Sequence, residues 1–127
     1  MNGSRILLDT NIVLFLLSGD QKLAQEIDAK HYYLSFITEL ELLGYSALSA
    51  RDIKRVKDFL RNCTIIDINA QIKDITIETK RKYRIRLPDC IIAATSKFLD
   101  VPLFTADRDF TKLDDMDVIF YEVAGNH

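Results

Sequence analysis

Short, unbroken apolar runs separated by longer amphipathic stretches are what most constrains this chain. Arg5–Asp9, Tyr32–Ser35, Thr64–Asp67, Val101–Thr105 and Val118–Tyr121 read as strands, and their apolar residues run on instead of alternating with polar ones. Strands of that character are buried on both faces, which is the situation of parallel strands under helices. The stretches between them read as helices: Asn11–Leu17, Gln21–Ala29, Ile37–Ser46, Ala50–Arg61 and Ala70–Tyr83. In Ala50–Arg61, Ile53, Val56, Phe59 and Leu60 fall at helical spacing with the basic residues on the other side. Pro88 presets φ for a first helical turn and disfavours a helical Leu87, so the last helix is predicted over Asp89–Phe98. The alternation predicts an α/β fold, a three-layer α/β/α sandwich with a mostly parallel central sheet. Such sheets bind ligands beyond the carboxyl ends of their strands, where strand order reverses.

No repeat or Pro/Gly-rich linker divides the 127 residues, which hold four glycines and two prolines. One domain over residues 1–123 is expected, with 124–127 a disordered tail. The apolar run Ile12–Leu17 is far short of the roughly 20 residues that span a bilayer. No secretion signal is visible, so a cytoplasmic protein without membrane contact is expected. Cys63 and Cys90 form no metal-ligand spacing and are expected as reduced thiols. The formal net charge is −2, but residues 51–86 carry eleven Lys and Arg against five acids, which makes that segment +6 and the remainder −8. A positive middle can hold phosphates beside an acidic site. Two solvated helix faces would account for the same charges.

Four acids fall where an open parallel sheet gathers residues. Asp9 closes the first strand, Glu41 lies about one turn into the helix after the second, Asp89 starts the helix at Pro88, and Asp107 follows the fourth strand. Clustered carboxylates repel unless a cation is present. A hard divalent ion such as Mg²⁺ or Mn²⁺ accepts carboxylate and water oxygens and activates a water for attack on a phosphodiester. Each acid also has a simpler account. Asp9 suits a helix N-cap, Asp89 a helix first turn, and Asp107 and Asp109 a turn, while rotation about the helix axis can expose Glu41. Set among Leu40, Leu42 and Leu43, Glu41 is the acid expected to be desolvated and to hold a proton, with Glu39 the solvated neighbour.

Leu7–Asn11 (Leu-Leu-Asp-Thr-Asn), Ser35–Gly44, Pro88–Ala94 (Pro-Asp-Cys-Ile-Ile-Ala-Ala) and Phe104–Phe110 occur in the order seen in PIN-domain proteins, and the whole chain resembles their VapC-type toxin ribonucleases. The resemblance implies a metal-dependent endoribonuclease, the toxin half of a toxin–antitoxin pair. It further implies that Asp9, Glu41, Asp89 and Asp107 bind Mg²⁺ or Mn²⁺ and carry catalysis. Ser35, Thr38 and Gly44 select Glu41 over Glu39 in the second motif, and Asp109 contends with Asp107 in the fourth. Thr105 is expected to orient an acid and Asn11 to support Asp9. Implied partners are RNA, a second copy in a homodimer, and an antitoxin whose tail fills the active groove. The basic helices at 51–61 and 73–86 are expected to hold RNA phosphates, and Arg84 and Arg86 lie nearest to Asp89. A non-catalytic PIN-like RNA-binding module and another metal-dependent nuclease are the alternatives.

Overall fold

The computed structural model describes residues 5–27, 29 and 31–123. The expected tail at 124–127 lies outside them. Five strands form one sheet: β1 (Arg5–Leu8), β2 (His31–Ser35), β3 (Thr64–Ile66), β4 (Leu103–Thr105) and β5 (Val118–Phe120). Their order is β3-β2-β1-β4-β5, with every neighbouring pair parallel. The chain builds outward from β1 to one side, then returns to its other side with β4 and β5. Strand order therefore reverses between β1 and β4, and a crevice opens there at the carboxyl ends.

The unbroken apolar strands are explained by cover on both faces. Ile6 and Leu8 of β1 face a core with Ile12, Val13, Leu23 and Val56, contributed by helices α1 (Thr10–Leu17), α2 (Gln21–Glu26) and α4 (Ala50–Leu60). Leu7 faces the opposite core with Cys90, Ile92, Ala93 and Phe110, chiefly from α6 (Leu87–Leu99). Helix α3 (Phe36–Leu43) sends Leu42 to the first core and Ile37 toward the second. Helix α5 (Ala70–Lys82) packs on α6. This is the expected three-layer α/β/α architecture, with a wholly parallel sheet among the described residues. Cys63 is half-buried and Cys90 buried, both as free thiols. Among the described residues no helix is long and apolar enough to cross a membrane.

Helix ends depart from expectation where local chemistry intervenes. Helix α2 stops at Glu26 instead of Ala29, because Ile27 is already extended (φ −80°, ψ 109°). Helix α3 stops at Leu43 instead of Ser46. Its cap is Gly44, whose N–H donates to the Leu40 carbonyl at 2.8 Å. A Cβ there would stand 2.6 Å from that carbonyl oxygen, so the close turn requires glycine. Helix α6 begins at Leu87, two residues before Asp89, with extended Arg86 as its N-cap. Pro88 thus occupies the second helical position, where its missing N–H leaves no helical hydrogen bond unmade.

Candidate active site

Every sequence-selected acid lines one cavity of about 460 Å³, at the β1–β4 reversal point. Asp9 sits one residue beyond β1 and serves as N-cap of α1, its Oδ1 accepting from the Thr10 N–H at 2.8 Å. Its capping role and its place in the cavity are compatible. The other oxygen, Oδ2, accepts from the Thr105 hydroxyl at 2.7 Å. That hydroxyl in turn accepts from the Asp107 N–H at 3.0 Å, so one fully buried side chain at the end of β4 holds two acids in register. Asp107 Oδ1 accepts from the Asp109 N–H at 2.9 Å, which fixes the turn after β4.

Asp107 lines the cavity, whereas Asp109 is exposed and its carboxylate lies 3.3 Å from Lys112 Nζ. The contest between the two is thereby resolved in position: Asp107 faces the crevice. Glu41 reaches the same crevice from α3, and its Oε1 accepts from the Thr10 hydroxyl at 2.6 Å. The Thr10 hydroxyl also lies 3.0 Å from that of buried Thr38. Asp89 enters from the first turn of α6, with Oδ2 3.5 Å from Arg86 Nε. Asn11 lines the cavity, but the hydrogen bonds to the Asp9 carboxylate come from Thr10 and Thr105.

One expectation needs correcting. Glu41 is exposed and Glu39 half-buried, the reverse of the sequence reading, because Glu41 opens onto the cavity and solvent. The desolvated acids are Asp9 and Asp89, at 5% and 6% exposure. Burial pushes Asp9 up to about 6, against the lowering effect of Thr105 and the Thr10 N–H, and the negative charges of Asp89 and Asp107 add to the rise. Asp89 is raised by burial as well, opposed by the Arg86 guanidinium and aided by Asp107 and Glu41. Of the basic residues on and around the two basic helices, most lie away from this cavity. Arg86 is the one basic side chain that lines this cavity among the described residues. Lys80 Nζ donates instead to the Ile85 carbonyl at 2.9 Å, and Lys82 lies 3.9 Å from Asp114. Lys54 of α4 and Arg61, which caps that helix, both pair with Asp58.

Oxygen donors of this kind suit a hard divalent cation, which relieves both the burial of charge that chiefly raises Asp9 and Asp89 and the repulsion from neighbouring acids that adds to it. As placed, no three Asp, Glu, His or Cys side chains among the described residues stand close enough to enclose an ion. Thr10 and Thr38 were not selected from sequence. Both stand inside the sequence motifs, but only the sheet brings the Thr10 hydroxyl beside Glu41 and Thr38.

The geometry agrees with comparisons to known proteins. Ribonuclease VapC2 of Methanocaldococcus jannaschii is 25% identical, with the match covering 94% of this chain and 95% of that protein. Among solved structures, a toxin–antitoxin complex from Klebsiella pneumoniae superimposes with a TM-score of 0.81 at 28% identity, covering 93% of this chain and 99% of that one. The DNA-bound VapBC of Salmonella typhimurium shares the fold at a TM-score of 0.77 and 20% identity, covering 92% and 98%. The PIN domain family profile matches residues 6–116, a span that contains all four cavity acids, and the chain belongs to that family.

Proposed function

We propose that this protein is a divalent-metal-dependent endoribonuclease, the toxin of a toxin–antitoxin pair. The observation that carries this reading is the convergence of Asp9, Glu41, Asp89 and Asp107 on one crevice at the sheet's reversal point. Support for RNA as substrate comes from the relative named a ribonuclease, and support for an antitoxin from the similarity to toxin–antitoxin complexes. Homodimer formation belongs to the same reading through the resemblance to VapC-type toxins.

Within that reading the four acids would hold Mg²⁺ or Mn²⁺, which when bound supplies positive charge for the phosphodiester and a water of lowered pKa. The protein's part is positioning. Thr10 and Thr105 fix both oxygens of Asp9, and the Asp109 N–H fixes Asp107 Oδ1. The Thr10 hydroxyl fixes Glu41 Oε1. The burial of Asp9 and Asp89 restricts water around the carboxylates and strengthens their interaction with any cation they hold. Arg86, paired with Asp89, places a positive charge where a substrate phosphate approaches.

The direct test is cleavage of matched single-stranded RNA and DNA oligomers by purified protein in Mg²⁺ or Mn²⁺, with and without EDTA. RNA cleavage that EDTA stops is the expected result. Cleavage confined to DNA overturns the substrate, and activity indifferent to EDTA overturns the metal.

Thr105→Val removes the hydroxyl that ties Asp9 to Asp107 while keeping the side chain's shape. Cleavage is expected to fall about 10–100-fold, the usual effect of losing a group that orients metal ligands. Thr105→Ser should restore most of the rate. Equal rates for Val and wild type would mean that the hydroxyl orients nothing of importance.

Replacing Lys80, Arg81 and Lys82 together by Ala is expected to weaken RNA binding for all sequences and to reduce the salt slope by at most about two, since each single-strand phosphate contact contributes roughly 0.7. Because Lys80 and Lys82 already contact Ile85 and Asp114, the loss should be smaller than three full contacts. An unchanged slope in a salt titration would show these residues to be a solvated face only.

A further inference from the structure

The cavity that holds the acids has a second, apolar half that the chemistry above does not use. Leu14, Leu42, Leu48 and Val56 form its wall, and Tyr45 stands at its rim, 65% exposed. An aromatic ring so open contributes little to the core, and the backbone that carries it is nonetheless held in place. Gly44 caps α3 in a turn that a Cβ would block, and Leu48 N donates to the Tyr45 carbonyl at 3.3 Å. Arg86 lines the same cavity and its side chain is 73% exposed. A cation at the N-terminus of α6 is unfavourable for that helix, whose dipole there attracts negative charge. The 3.5 Å contact with Asp89 offsets this in part. A guanidinium that exposed is free to exchange this contact for a phosphate.

We infer that the apolar half of the cavity is a nucleobase subsite, in which one unstacked base lies on Tyr45 while its backbone phosphate meets Arg86 and the carboxylates. The inference rests on the nuclease reading and deepens it by naming the residues that receive a base, Tyr45 and the apolar wall behind it. Inside an A-form duplex each base is stacked on both faces and no aromatic side chain can reach it, whereas a loop or single strand can lay a base on the ring. An apolar wall, an open aromatic ring and an exposed cation, continuous with a row of acids that would hold a divalent ion, match a nucleotide in both its halves.

The test uses the whole protein with Ca²⁺ in place of Mg²⁺, to measure binding apart from turnover, and two fluorescent probes: a single-stranded RNA and a hairpin stem of the same composition. Tyr45→Ala is expected to weaken single-strand binding about tenfold, the size of one base–aromatic stack, and to leave the weaker stem binding unchanged. Tyr45→Phe should stay within about twofold of wild type, since the ring face is kept. Arg86→Gln should weaken both probes and lower the salt slope by about one. In Mg²⁺, Tyr45→Ala should raise KM more than it lowers kcat.

Single-strand affinity unchanged in Tyr45→Ala would overturn the subsite and leave the apolar wall to a protein helix. Equal weakening of stem and single strand would make Tyr45 a general contact and overturn it as well. The nuclease reading is tested on a separate axis. Wild-type protein that binds single strands through Tyr45 without cutting them refutes the nuclease reading but keeps the subsite. Cleavage unaffected by Tyr45→Ala does the reverse.

Discussion

Asp9→Asn is expected to leave a folded protein that cleaves RNA at least about 10³-fold more slowly than wild type, in line with losses on removing a group at the centre of a charged transition state. The substitution alters charge with almost no change in shape. Its amide oxygen still accepts from the Thr10 N–H, so α1 keeps its cap. What disappears is the negative charge at the point where β1 and β4 diverge, between Asp89 and Asp107. Without it the remaining acids hold a divalent cation less tightly, and none of them is tied to both α1 and β4 as Asp9 is. The measurement is single-turnover cleavage of a labelled RNA in Mn²⁺, with circular dichroism as the check on folding. Wild-type rates from the folded variant would remove Asp9 from the site and break the central claim.

The second large effect is on stability, and its sign is opposite to that of most polar core substitutions. Asp9 is raised from its ordinary 3.8 to about 6 in the folded protein. Between those values the folded state keeps a proton that the unfolded chain has released, so stability falls as pH rises through this window. Above about pH 6 the deficit is complete, on the order of 3 kcal/mol at 1.36 kcal/mol per pH unit. The raised Asp89 contributes with the same sign.

Asp9→Asn removes the deficit but leaves the Thr105 hydroxyl without its carboxylate acceptor, at about 1 kcal/mol. Metal-free Asp9→Asn protein should therefore be more stable than wild type at pH 7.5 by about 2 kcal/mol, or roughly 5–10 °C in Tm. Below pH 4 the advantage should vanish. Millimolar Mn²⁺ should reverse the order at pH 7.5. Wild type gains about 2.7 kcal/mol at a hundred times Kd, and the variant, missing one ligand, gains less. Thermal melts in EDTA and in Mn²⁺ at pH 4 and 7.5 decide the matter. A variant simply less stable everywhere, with a wild-type melt indifferent to Mn²⁺, would show that the acids do not share one cation.

Much of the architecture was readable because parallel strands and helices leave opposite signatures. Leu7 and Leu8 are adjacent and both fully buried, which only cover on both faces allows. The same chain order placed Asp9 and Asp107 at strand ends, and the reversal rule then made them candidates before any coordinate was known. Helix ends were less legible. They depend on single residues such as Ile27 and Gly44, whose conformations are set by what they pack against.

What the sequence determined by itself was thus the layering, the strand ends and which acids line the crevice, because hydrophobic periodicity and residue type are local properties. What only the tertiary structure decided was environment. Glu41, flanked by leucines in sequence, opens to the cavity, while Asp9, between a leucine and a threonine, is buried and raised to about 6. Thr105 links Asp9 to Asp107 across 96 residues of chain, and Thr10 reaches Glu41 across 31. Of eleven basic residues in the middle segment, Arg86 alone among the described residues lines the cavity with the acids. Burial, and with it the free energy of a charge, depends on how much protein surrounds a group from every element at once, and no window along the chain contains that sum.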